Sequence, residues 1–153
     1  MKKPFIQFSI IISLTLAPCF IFCSQNKENE MEEVRAAVVD LYSALNAGNA
    51  DAFVPYMASG GYTEFSEDGG PLFNIDEAYV RQVFNSGLRA EFEIQELKVK
   101  VFGDAALATG YRVGKFIIPN ETTERSKLCL SMMWFCQEGK WKLAHVHLSP
   151  SNQ

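Results

Sequence analysis

The chain has 153 residues, 48% of them hydrophobic, and a formal net charge of −4 at pH 7. That length supports one domain with a core of its own and not two. The acidic balance repels phosphate backbones, and Lys98, Lys100, Arg125 and Lys127 are scattered among glutamates, so the composition speaks against nucleic acid as a partner.

Lys2 and Lys3 precede an apolar stretch from Phe5 to Cys23, and a polar, charged run from Ser24 to Glu30 follows. This is the order of an export signal over residues 1–23 with a polar tether over 24–30. The alternative is a retained membrane anchor, since about 19 apolar residues just span a bilayer as a helix. The export reading places the protein in the periplasm or outside the cell, in touch with a membrane only through this segment. Cys23, where the apolar run meets the tether, is the candidate lipidation site. Without residues 1–23 the net charge becomes 12 − 18 = −6, because Lys2 and Lys3 go with the segment. Cys129 and Cys136 lie in one expected strand with opposite parity, so they face opposite ways and are expected to be buried thiols. No Cys/His spacing suits zinc, so neither a metal nor a cofactor is expected.

From Glu30 to Ala47, Val34, Val38, Leu41 and Leu45 recur at steps of three and four, and Gly48 follows. This predicts an amphipathic helix and its stop. Asn49 can cap a second, short helix carrying Phe53 and Met57. Gly60-Gly61 ends it before a short strand, Tyr62-Thr63-Glu64-Phe65. Beyond a turn over residues 67–71, a third helix is expected with Asn74 as N-cap, a stripe of Ile75, Tyr79, Val83 and Phe84, and Gly87 as its stop. Four strands follow, over residues 89–102, 105–118, 124–137 and 140–148, joined by hairpin connections. In the first of them the apolar positions change parity between Ile94 and Leu97, which predicts a bulge near Gln95 and Glu96. The fold class is therefore α+β: three helices packed on a strongly curved antiparallel sheet that wraps them as a cone.

Two stretches carry a family resemblance that spans residues 31–149, leaving 150–153 as a tail. The run from Tyr42 through Asn46-Ala47-Gly48-Asn49 to Phe53 is similar to the first-helix ending of SnoaL-like and ketosteroid-isomerase-like domains. The terminal hairpin from Glu138-Gly139-Lys140-Trp141 to His145-Val146-His147-Leu148-Ser149 resembles the last strand of SnoaL-like proteins and of the calcium/calmodulin-dependent protein kinase II association domain. The resemblance implies the nuclear-transport-factor-2-like cone, and it leaves function open because that fold hosts isomerases, cyclases, dehydratases, ligand carriers and assembly modules. Ketosteroid isomerases place a tyrosine in the first helix and a general-base aspartate in the first strand. Anchored on Leu45-Asn46-Ala47-Gly48, those positions are Leu41 and Phe65, which disfavours that mechanism.

The residues that could carry chemistry are few. Strict alternation in the last strand puts Trp141, Leu143, His145, His147 and Ser149 on one face, so both histidines are expected to look into the cone, where either could serve as a general base. Hydrogen-bonded structural histidines are the plainer alternative. Glu64 is the single carboxylate of its short strand, and burial would raise its pKa. Arg112 could grip an acidic ligand by a forked contact. Met132-Met133-Trp134-Phe135 alternates faces, one side filling the cone and the other suited to a partner sheet. The reading is an exported module that binds a small, mostly apolar or acidic ligand and assembles as a homodimer, its cone lined by some of Tyr42, Tyr62, Tyr111, Trp134, His145 and His147. The alternative is an enzyme that moves a proton next to a carbonyl, with His147, His145 or Glu64 as base and Arg112 or a tyrosine steadying the oxyanion.

Overall fold

The computed structural model describes residues 27–118 and 124–151. The export-signal segment and Cys23 therefore lie outside the described residues. Helix α1 (Lys27–Ala47) buries Val34, Val38, Leu41 and Tyr42, and it stops at Gly48, whose φ of 61° suits a residue without a Cβ. The Asn49 side chain accepts a bond from the backbone N–H of Ala52 and starts α2 (Ala50–Phe53), which runs into a 3₁₀ turn. Asn46 reaches across to the sheet instead. Its side-chain amide donates to the Phe92 carbonyl at 2.8 Å, and its side-chain oxygen accepts from the Phe92 N–H at 2.9 Å. That pair pins the end of α1 to the sheet.

Strands β1 (Tyr62–Phe65) and β2 (Phe73–Ile75) form a short antiparallel pair. Helix α3 (Glu77–Asn85) begins two residues later than expected. Asp76, not Asn74, is its N-cap, accepting from the Tyr79 N–H at 2.8 Å, while Asn74 sits in β2. The inward stripe is set by packing against α2 and the sheet, and it keeps Phe84 but takes Val80 in place of Tyr79, one residue or about 100° round the helix. Val80 and Phe84 are accordingly the buried residues of α3, and Tyr79 is half exposed.

Strands β3 (Arg89–Phe102), β4 (Ala105–Ile117), β5 (Ser126–Gln137) and β6 (Lys140–Pro150) complete a six-stranded sheet in the order β2-β1-β6-β5-β4-β3. The expected α+β cone is the architecture. The sheet is mixed rather than wholly antiparallel, because β1 lies parallel beside β6 while the hairpin-linked strands pair antiparallel. The expected bulge is present in β3: the register shifts between Gln95 and Lys98, and Glu96 has a φ of 54°. Gly110 faces it, where an added Cβ would lie 2.8 Å from the Gln95 carbonyl oxygen. Close approach of backbone, rather than of a ligand, is what this glycine serves.

A second slip lies in β6. Met133 pairs with His145 but Trp134 pairs with Leu143, so Ala144 is an extra residue. On the core side stand Trp141 and Leu143 before the bulge and Val146 and Leu148 after it. The core is completed by Leu130, Met132 and Trp134 of β5 and by α1, which packs across β3 and β4. Cys129 is a half-buried free thiol on the other face, and Cys136, expected from the sequence as a thiol, is disulfide-bonded.

Candidate functional site

Between the helices and the inner face of the sheet is a cavity of about 310 Å³. Its walls are mostly apolar: Leu45 from α1, Phe53 from α2, Val83 and Phe84 from α3, and Phe116 and Leu143 from the sheet. Six polar side chains line it: Ser66 just beyond β1, the half-exposed Tyr79 of α3, and a group of four. Tyr42 comes from α1, Tyr62 and Glu64 from β1, and Arg112 from β4. An apolar chamber with a small number of convergent polar groups is the usual form of a small-molecule site.

Arg112 is the central charge. It is 6% exposed, and its guanidinium carbon stacks 4.4 Å from the Phe92 ring centroid and 5.7 Å from that of Phe116. Its Nη2 lies 3.7 Å from a carboxylate oxygen of Glu67, in the turn after β1, and its Nε is buried with no acceptor. A buried donor left unpaired forfeits its hydration without return, so it calls for an explanation.

The other three groups respond to burial and to this cation. Burial raises the Glu64 carboxyl above its ordinary range; Arg112 opposes the rise and the Glu67 charge adds to it. Burial also pushes the Tyr42 phenol to about 12, with Arg112 partly offsetting the shift by its charge and a hydrogen bond. Tyr62 is driven up by burial and then by the charge of Glu64. Both phenols therefore remain neutral donors throughout the physiological range. Among the described residues no group of three histidine, cysteine or carboxylate side chains could hold a metal ion, and no helix is long and apolar enough to cross a membrane.

The model of the SnoaL-like domain matches residues 34–153. This chain belongs to the SnoaL-like family. No curated protein is significantly similar to it in sequence. Among solved structures, the association domain of C. elegans calcium/calmodulin-dependent kinase II superposes with a TM-score of 0.65 at 18% identity, over 80% of this chain and 97% of that one. A proposed dehydratase of the NTF2-like family from Streptomyces avermitilis gives 0.66 at 16%, over 84% and 100%. An NTF2-like protein of unknown function in nutrient uptake from Rhodospirillum rubrum gives 0.66 at 16%, over 77% and 98%. At such identities the likeness is one of fold.

Within this SnoaL-like cone, several expected site residues lie elsewhere. His145 and His147 do not line the cavity: the Ala144 bulge turns them to the outer face, where His145 Nδ1 is 2.8 Å from Thr63 Oγ1 and both rings pack against Phe65. Tyr111 alternates with Arg112 and so also points outward, beneath the Lys127 ammonium at 4.2 Å. Trp134 faces inward but is wholly buried in the core rather than at the cavity wall. Tyr42, Tyr62, Glu64 and Arg112 are the expected residues that meet.

Of the two positions matched to those of ketosteroid isomerases, Leu41 lines the cavity beside Tyr42, whereas Phe65 is exposed on the outer face and its neighbour Glu64 enters the cavity instead. An anchor on Asn46-Ala47-Gly48 cannot set strand register across the Gly60-Gly61 turn, where φ is positive at both residues. Glu67 is a site residue that the sequence does not single out. It lies in a turn, where no periodicity indicates direction, and its one signal is a position two residues beyond the strand that carries Glu64.

Proposed function

We propose that this SnoaL-like domain binds a small, mostly apolar molecule bearing an anionic group, with Arg112 as the anchor. The observation that carries this reading is the Arg112 Nε, buried at the cavity wall without an acceptor. A ligand carboxylate lying in the guanidinium plane would satisfy it, and the stacking on Phe92 holds that plane still. Tyr42 and Tyr62 supply further donors. Native mass spectrometry of the purified protein tests the reading. A reproducible extra mass that disappears in Arg112→Leu supports it; a bare protein that also binds no small aromatic carboxylate sinks it.

A second reading is favoured by the raised proton affinity of Glu64 beside two neutral phenols. Here the domain is an enzyme in which Glu64 removes a proton next to a carbonyl while a tyrosine donates to the developing oxyanion. Hydrogen–deuterium exchange into a panel of small carbonyl compounds, followed by NMR, separates the two readings. Exchange abolished by Glu64→Gln marks the enzyme; no exchange in any compound leaves the binder.

Self-association belongs to the other face of the sheet, where Phe65, Met133 and Phe135 are each about 40% exposed. The kinship in fold with a kinase association domain supports it. Sedimentation of the Met133→Glu variant as a smaller species than the parent is the expected result. Export, resting on the order of residues 1–30, is tested by cell fractionation.

A further inference from the structure

One cation at the cavity wall, Arg112, faces two carboxylates: Glu64 lines the cavity with it, and Glu67 reaches it from the turn after β1, outside the lining. Arg112 makes its 3.7 Å ion pair with Glu67, and Glu64 shares the same chamber. An entering anion would set three negative groups around a single guanidinium in a low-dielectric space, where like charges repel strongly. The two glutamates can respond differently. Glu67 stands in a turn with a side chain 43% exposed, two residues before Gly69 at positive φ, and can withdraw into water. Glu64 cannot. It is fixed in β1 between Phe73 of β2 and Val146 of β6, so its way of losing charge is to bind a proton.

We propose that an anionic ligand enters this cavity together with one proton, which the Glu64 carboxylate takes up. The proposal rests on the reading of Arg112 as the anion anchor and adds to it the coupling between ligand and pH. The groups that face Glu64 leave it as the acceptor. Tyr42 from α1 and Tyr62 beside it on β1 are phenols that burial keeps neutral before and after binding, and Tyr79 of α3 lines the cavity with its side chain half exposed. Arg112 from β4 is the cation of the ion pair, and Glu67 retains access to water. The adjoining β6 presents Val146 on this side and turns His145 and His147 to the other face, while β2 contributes Phe73, Asn74 and Ile75, none of which titrates. Burial already favours the protonated form of Glu64, so the step needs little further push. By linkage, the bound anion tightens the hold of Glu64 on its proton, and the proton tightens the hold of the cavity on the anion.

Calorimetric titration of the full chain with phenylacetate tests this, in buffers of different ionisation heat between about pH 5.5 and 8.5, where the probe stays anionic. The expected result is an uptake approaching one proton per phenylacetate, with affinity falling about tenfold per pH unit above the Glu64 pKa. Glu64→Gln should bind with no uptake and a flat profile, more tightly than the parent at the alkaline end. Glu67→Gln should keep the uptake, and neutral phenylacetamide should show none. Binding without uptake, uptake that survives Glu64→Gln, or uptake lost in Glu67→Gln would each overturn the coupling while leaving Arg112 as anchor. Failure of phenylacetate to bind at any pH would overturn the anchor reading and the coupling together.

Discussion

The two faces of the sheet hold similar polar residues in opposite conditions. Outside, His145 is bonded to Thr63, both histidine rings lie against Phe65, and Tyr111 is covered by Lys127. Inside, the Arg112 Nε has no acceptor, and Glu64 is held above its ordinary pKa by burial. The outer groups are finished by their neighbours, and the inner ones are not. That contrast, rather than residue type, locates the site, because a buried polar group left incomplete at a cavity wall has a use for a ligand.

Substitutions should break the contrast in graded steps. The largest effect is expected from Trp134→Ala, which empties the fully buried ring site behind the cavity and should cost about 3–5 kcal/mol in urea denaturation. Arg112→Leu should do the opposite to stability and function. Replacing a buried, incompletely paired charge with an apolar side chain leaves stability unchanged or higher, while affinity for phenylacetate falls about tenfold to a hundredfold.

Glu64→Gln tests the inner face through pH. The folded-state pKa of Glu64 is raised, so its proton-bound form favours folding below the ordinary value of 4.5, and that contribution is lost as pH rises through the folded value. The variant should therefore match the parent in strong acid and be the more stable of the two at neutral pH, as read by thermal melts across the range. His147→Ala on the outer face should change stability by about 0.5 kcal/mol or less and leave phenylacetate affinity unaltered. A large loss of binding in that variant would erase the distinction between the faces.

Two bulges show how far the pattern can be read. In β3 the parity change from Ile94 to Leu97 predicts a slip, and a slip is there at Glu96. In β6 the same kind of signal is present, Trp141 and Leu143 followed by Val146 and Leu148, yet strict alternation puts the histidines on the wrong face. Apolar parity outranks continuity: burying Val146 and Leu148 outweighs the disruption of one ladder position at Ala144. The start of α3 is ambiguous in the sequence for a local reason. Asn74 and Asp76 both suit an N-cap, and only the pairing of β1 with β2 takes Asn74 out of contention.

Period, breakers and charge order were enough to determine the α+β class, α1 with its glycine stop and the four long strands, and two motif stretches carried the resemblance to SnoaL-like domains. These depend on neighbours within a few residues, and such interactions are written directly in the chain. The tertiary structure alone decided that β1 runs parallel beside β6, that Ala144 reverses the last strand, and that Tyr42, Tyr62, Glu64, Glu67 and Arg112 converge. Those outcomes arise from the joint burial of α1, α3 and the curved sheet, where each strand's facing depends on partners far away in sequence.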